Sequence, residues 1–292
     1  MRIATRASAL ATTQARLVAE RIGGGELVEV ANVDGEVGDK ARFVRSVEQA
    51  LLGGEADLGV HSAKDLPGAM PDGLSLVGVP AREDPADAFV GAAASLDDLP
   101  EGARVGTASL RRRAQLLALR PDLDVVDLRG NVDTRLRKLA SGEADGLILA
   151  VAGLARLGRA DEIAFRFGAN QMVPAPGQGA LALQARSGDS DAASAAAGIS
   201  DHEALVEFTA ERAACAALEA TCETPIGICA RHLDGTLALA GFAGLPDGSE
   251  WIRDALRGDP EQPAAVGEAL AERMLSAGAA DILKRAGEGD WL

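Results

Sequence analysis

The chain has 292 residues, 47% hydrophobic and 25% charged, with a formal net charge of −15. That composition suits two or three packed cores and is too apolar for general disorder. A field of this sign repels nucleic acid and anionic membrane, so neither is expected as a partner, and an anionic ligand would need a local cationic pocket.

In chain order, RIAT reads as a strand and SALATTQARLVAERI as a helix, with Ala11, Ala15, Val18 and Ile22 on one face. Strand ELVEVANV follows, then helix FVRSVEQALLGG ending at glycines that suit a left-handed cap. Strands DLGVHS and LSLVGV complete the first set. Strands alternating with helices predict an α/β fold with a mostly parallel sheet covered on both faces.

The same order returns about a hundred residues later. ARVGTASLRRRAQLLAL is a strand leading into a helix, DVVDLR a strand, and VDTRLRKLASGEADGLILA a helix and a strand. Gly54-Glu55-Ala56-Asp57 before LGVHS matches Gly142-Glu143-Ala144-Asp145 before GLILA, and Ile3-Ala4-Thr5 resembles Val105-Gly106-Thr107. Chance similarity in an alanine- and glycine-rich chain is the bland alternative. Two related α/β domains are the preferred reading, with a ligand in the cleft between them. Turn-rich junctions at Ala81 to Phe89 and Asn170 to Ala180 suit a discontinuous first domain. The expected division is 1–82 plus 176–198, then 86–173, then a small α+β domain over 200–292. In that last part, Ser200-Asp201-His202-Glu203 has the form of a capping box. A helix, strand IGICARHL, an Asp234-Gly235 hairpin, TLALAGFAGL, a Pro246-Asp247-Gly248 turn and EWIRDAL follow, with one last helix from roughly Glu261 to Arg285.

The chemistry-bearing residues begin with a charge anomaly. Between 104 and 138 there are nine basic residues and four acidic ones, +5 inside a chain of −15. A solvated helix face is the ordinary explanation for a charge run. Arg111 and Arg112, however, open a helix beside Thr107 and Ser109, where free N–H groups already favour anions and cations are otherwise unfavourable. Arginine there supplies a fork for carboxylate or phosphate. Arg129 ends a strand, where α/β sheets bind ligands. Arg113 and Arg137 read as surface residues. In the first half, Arg6 and Ser8 lie between a strand and its helix, and Lys64-Asp65 ends the strand VHS. An exposed lysine–aspartate pair is worth little, but a fixed carboxylate in a cationic cleft makes Asp65 a catalytic candidate. His61 reads as an ordinary strand residue. GQGA, at Gly177 to Ala180, reads as a tight connection rather than a phosphate loop.

Three cysteines spaced Cys215-x6-Cys222-x6-Cys229 match no zinc pattern, so no metal is expected. So few cysteines in a chain this long suit a reducing compartment. No apolar run in the first 22 residues resembles a leader and no membrane-length apolar stretch occurs, so a cytoplasmic location is expected. Cys215 and Cys229 read as buried small hydrophobes. Cys222 precedes a turn, lacks a neighbouring histidine, and is open to carrying a covalent adduct.

Taken together, TRASALATTQA, VHSAKDLP, REDPADAF, VGTASLRRRAQL, DLRGNVDTRLRKL, AVAGLARLG, PAPGQGALALQAR and CETPIG resemble, in this order, the porphobilinogen deaminase family over nearly the whole chain. The resemblance implies two periplasmic-binding-protein-like domains and a third carrying a covalent dipyrromethane cofactor, with Cys222 as its attachment point. It implies a monomeric cytoplasmic transferase of tetrapyrrole (heme) biosynthesis. Four porphobilinogen molecules would be joined head to tail with loss of ammonia, and hydroxymethylbilane released by hydrolysis. Asp65 matches the position of the catalytic carboxylate, which would stabilise cationic pyrrole and shuttle protons. The carboxylate-binding positions match Arg6, Ser8, Lys64, Thr107, Ser109, Arg111, Arg112, Arg129, Arg135 and Arg156. Lys40 persists in the lid segment GDKARFVRSVE, where the family resembles GGKGLFVKELE, and Glu36 replaces a common lysine. Ala220-Thr221 replace glycines before the cofactor cysteine. A two-lobed anion-binding protein would explain the arginines but gives no role to Cys222, Asp65 or a third domain. A degenerate homologue is disfavoured by the intact Lys64-Asp65, arginine set and Cys222.

Overall fold

The computed structural model describes residues 1–31, 41–67, 70–221, 224–289 and 291, the side chains of 41–43 excepted. The first half contributes β1 (Arg2–Arg6), α1 (Ala9–Arg21), β2 (Glu26–Val30), α2 (Ala41–Leu52), β3 (Leu58–Ser62) and β4 (Leu74–Gly78). The second contributes β5 (Asp87–Gly91), β6 (Arg104–Gly106), α3 (Leu110–Leu119), β7 (Asp124–Val126), α4 (Val132–Ala140), β8 (Gly146–Ala150), α5 (Val151–Arg156) and β9 (Phe165–Arg166). Then come β10 (Leu181–Arg186), α6 (Ser190–Ala197), α7 (His202–Ala217), β11 (Ile226–Leu233), β12 (Thr236–Gly244), β13 (Trp251–Gly258), α8 (Pro263–Ser276) and α9 (Ala279–Glu288).

The first sheet has the order β2-β1-β3-β10-β4 and the second β7-β6-β8-β5-β9. In each, one inserted strand, β10 or β5, runs antiparallel to both neighbours while the other pairings are parallel. The expected mostly parallel sheets therefore carry one reversed strand apiece, because each receives a strand from across a junction. The chain crosses from β4 to β5, and returns from β9 to place β10 inside the first sheet. Each sheet buries its own core: Ile3, Val18, Leu58 and Leu183 in the first, Phe89, Val105, Leu116 and Ile148 in the second. The third sheet, β11-β12-β13, is an antiparallel meander. It packs on α7 and α8 through Ala210, Ile228, Leu239, Leu270 and Met274.

Two local expectations are corrected. The N-cap of α7 is Asp201, whose side chain accepts from the Ala204 backbone N–H at 2.8 Å, not Ser200. Ser200 is occupied elsewhere: its Oγ accepts from the Val79 N–H and donates to the Ala196 carbonyl. The last helical stretch is two helices, broken where Gly278 takes a left-handed φ of 103°. The hairpin between β11 and β12 forms at Asp234-Gly235 as expected, both with positive φ.

A buried ion cluster ties the crossings to the third sheet. Arg82, with 3% of its side chain exposed, pairs with Glu211 at 2.8 Å and Glu207 at 3.1 Å, and its Nε donates to the Gln178 carbonyl. Glu211 also accepts the backbone N–H groups of Gly177 and Ala230. Charges this deep are tolerable only because their hydrogen-bonding positions are filled. His61 is likewise an interior strand residue. It is bonded to Gln184 at 3.0 Å, and burial pushes its imidazole down to about 4, which keeps it neutral.

Candidate active site

Helix α3 begins at an N-cap, Ser109, whose side chain accepts from the Arg112 N–H at 3.5 Å. Thr107 Oγ1 accepts from the Ser109 N–H at 3.2 Å. These two residues thus shape the helix start. Arg111 and Arg112 follow, only 4% and 5% exposed. Both meet Asp87, the first residue of β5, which is 0% exposed. Arg111 Nη1 donates to Asp87 Oδ2 at 2.7 Å and to the Val173 carbonyl at 2.8 Å. Arg112 donates to Asp87 Oδ1 from Nε at 2.9 Å and Nη2 at 2.7 Å, and from Nη1 to the Ile148 carbonyl. Burial pushes the Asp87 carboxyl up, but the two guanidinium groups outweigh it and hold the carboxyl well below the usual range. One anion against two cations leaves this buried group net positive.

The first half answers with a 3-10 turn at Ala63–Asp65, directly after β3. Its Lys64 is half-buried, and Nζ donates to Gln178 Oε1 at 3.5 Å. Gln178 Nε2 donates in turn to Asp87 Oδ1 at 3.0 Å and to the Pro85 carbonyl at 2.7 Å. Burial first, and then the charge of Arg112, push Lys64 down to about 8, against the pull of Asp65 and Asp87. Asp65 is half-buried beside it. The flanking glycines of GQGA make this approach possible. A Cβ on Gly177 would lie 2.8 Å from the Lys64 backbone nitrogen, and one on Gly179 would lie 2.3 Å from the Glu83 carbonyl oxygen. The loop is the tight connection expected.

Arg135, on α4, belongs to the same electrostatic group. It is half-buried, its Nε has no hydrogen-bond partner among the described residues, and burial followed by Arg112 push it down to about 10. Arg6 ends β1, and Ser8 N-caps α1 through the Ala11 N–H at 3.3 Å. Arg129 is exposed and paired with Asp127 at 2.7 Å. Arg156 stands apart: it donates to the Gly179 carbonyl at 2.6 Å, and its charged neighbours are Glu83 and Arg21. Lys40 and Cys222 lie outside the described residues. Cys229 is buried as expected and Cys215 only half-buried against the third core; burial pushes both thiols up to about 12, which disfavours the reactive thiolate. Arg113 is not the free surface residue expected; it is half-buried and anchored to the Val125 carbonyl at 2.8 Å. Arg137 is exposed.

Sequence reasoning missed Asp87 and Gln178. The available signal was a lone aspartate heading the apolar strand DAFVG, together with two helix-start arginines that needed a counter-ion. The assembled group offers guanidinium and ammonium donors for carboxylates, with a separate carboxylate, Asp65, next to Lys64. It suits binding a polyanion while a positive charge develops nearby.

The chain is similar to known proteins over nearly its whole length. Residues 1–194 match the family model for the porphobilinogen deaminase dipyromethane cofactor binding domain, and residues 205–276 match that for the porphobilinogen deaminase C-terminal domain. A porphobilinogen deaminase of Campylobacter concisus is 42% identical over 305 aligned positions, covering 99% of this chain and 98% of that one. Among solved structures, the BvgS VFT2 domain of Bordetella pertussis (double mutant F375E/Q461E) is 18% identical with a TM-score of 0.40, over 68% of this chain and 85% of that one. An arginine-specific periplasmic binding protein of Salmonella typhimurium is 14% identical with a TM-score of 0.39, over 68% and 91%. On the two family models and the relative together, the chain belongs to the porphobilinogen deaminase family.

Proposed function

We propose that this chain is a transferase joining four porphobilinogen molecules head to tail, with loss of ammonia, on a dipyrromethane primer held by Cys222, and then releasing hydroxymethylbilane by hydrolysis. The observation that carries the reading is the connection of Lys64, next to Asp65 in one turn, through Gln178 and Asp87 to the net-positive group of Arg111 and Arg112. The fit to a carboxylated cofactor rests on that charge excess and on the unpartnered Nε of Arg135. When bound, the dipyrromethane supplies the nucleophilic pyrrole carbon to which the first substrate is joined.

The residues then divide the work. Each pyrrole carries acetate and propionate side chains. Arg111 and Arg135 take these carboxylates, Arg112 adds its charge while holding Asp87, and Arg6, Ser8, Lys40, Thr107, Ser109, Arg129 and Arg156 receive the longer chain. Lys64 adds a charge that is present at neutral pH and lost above about 8. Asp65, next to Lys64, stabilises the positive charge that develops on a substrate pyrrole when ammonia leaves, and takes or returns a proton there. The half-burial of Lys64 and Asp65 limits competing water.

Sheet topology supports the domain division 1–82 plus 176–198, 86–173 and 200–292. Among the described residues no helix is long and apolar enough to cross a membrane; a cytoplasmic monomer without nucleic-acid or membrane partners is the reading in keeping with a small charged substrate. The test is the intact mass of the purified protein, followed by peptide mapping. An excess equal to two linked pyrrole units is expected on Cys222, lost in Cys222→Ser. An active protein with an unmodified Cys222 would overturn the attachment.

A further inference from the structure

The two neighbouring arginines of α3 are not equivalent. Arg112 spends all three guanidinium nitrogens on protein acceptors: two on Asp87 and one on the Ile148 carbonyl. Arg111 spends only Nη1, on Asp87 and the Val173 carbonyl. Its Nε and Nη2 have no hydrogen-bond partner among the described residues. Those two N–H groups form the edge of a guanidinium that matches a carboxylate in two parallel bonds.

The sheets themselves say whether Asp87 is needed for folding. Asp87 pairs with Ala150, the last residue of β8. At the corresponding register of the first sheet, Leu181 of β10 pairs with Ser62, the last residue of β3. The same position in the same topology is thus filled by a buried leucine, 4% exposed, with no ion cluster. The architecture does not require a carboxylate there.

We infer that Asp87 is a positioning residue for substrate carboxylate: it fixes Arg111 through Nη1 so that the Nε–Nη2 edge stands as a preformed two-point clamp, while Arg112 braces Asp87. This rests on the reading of Arg111 as a carboxylate ligand given above. Gln178 also donates to Asp87 and accepts from Lys64, a contact that lies outside the clamp.

The experiment is a double-mutant cycle on the cofactor-loaded protein, using Asp87→Asn, Arg111→Met and the double variant. KM for porphobilinogen is read together with the fraction of chains carrying the added pyrrole mass. Each single variant is expected to raise KM by about 10- to 100-fold. The double variant should be within about threefold of Arg111→Met alone, because Asp87 then has nothing to position. The loaded fraction should fall in the same non-additive pattern. Effects that multiply in either readout, or a fall in kcat at unchanged KM in Asp87→Asn, would overturn the proposal. An unchanged KM in Arg111→Met would instead remove the underlying reading of that residue. Asp87→Glu keeps the charge and shifts it by one methylene. If the asparagine variant does not fold, the glutamate variant should fold with a raised KM, and either a wild-type KM there or failure of both variants to fold would overturn the proposal.

Discussion

The two five-stranded sheets share a scaffold and differ in what they place on it. In the first, Asp57 accepts the Arg2 backbone N–H at 2.8 Å and its Nη2 at 2.7 Å. In the second, Asp145 accepts the Arg104 N–H at 2.8 Å and its Nη2 at 3.1 Å. Ser8 and Ser109 cap the corresponding helices. The GEAD repeat seen in the letters is therefore one structural clasp built twice. The differences are chemical. After the cap, α1 continues with Ala9 and Leu10, whereas α3 continues with Leu110, Arg111 and Arg112. After β3 the chain makes the Lys64-Asp65 turn, whereas after β8 it runs into the apolar start of α5. The second half supplies Arg111, Arg112 and Arg135, the first Lys64 and Asp65. A repeated scaffold leaves its strand ends open to specialise separately, because stability resides in the layers and chemistry at the rims.

The largest effect should come from the first half's contribution. Asp65→Asn is expected to lower turnover by about 100- to 10,000-fold with folding unchanged. Steady-state kcat beside a thermal melt checks this, and near-normal kcat would remove Asp65 from the chemistry. Next comes the lysine. Burial lowers its folded-state pKa to about 8, so its charge is present below that pH and lost above it. KM for the anionic substrate should accordingly rise as pH passes through about 8, and Lys64→Arg, which stays charged, should remove that limb of the profile. A pH profile identical in both proteins would break the assignment. The smallest effects should fall on what the halves share. Asp57→Asn and Asp145→Asn break partly exposed pairs, so each should shift the melting temperature by roughly 2 °C or less, and alike. Markedly unequal shifts would show that the clasps are not equivalent.

Much of this was legible in the sequence because repeats, periodicity and turn residues act locally. Most strands and the Asp234-Gly235 hairpin follow from neighbours in the chain; β5 and β10 were not read because they lie in or beside the turn-rich junctions, and β9 is only two residues long. The break at Gly278 did not, since a helical pattern on both sides masks a single glycine. The α7 cap was displaced by one residue because Ser200 is engaged by Val79 and Ala196, distant in sequence or in the preceding helix. Asp87 and Gln178 were invisible as site residues for the same reason: their partners lie 24 and 91 positions away, respectively Arg111 for Asp87 and Asp87 for Gln178. Arg111 was found by its odd place at a helix start, but that position could not reveal that all three guanidinium nitrogens of its neighbour Arg112 are bonded to the protein. Cys222 was separated from its fellow cysteines by local pattern, and only the family resemblance gave it a named adduct.

The fastening between the two crossings has a mechanical meaning. Gln178, on the returning strap, donates to the Pro85 carbonyl on the outgoing one, and Arg82 on the outgoing strap donates back to the Gln178 carbonyl. Two straps joined side by side behave as a leaf hinge. Such a pair would bend more easily about one axis than twist about the others, so a rocking motion of one half against the other would be guided rather than free. Because the pin of that hinge also touches Asp87 and Lys64, any swing would be felt at the cationic rim proposed to hold the substrate carboxylates.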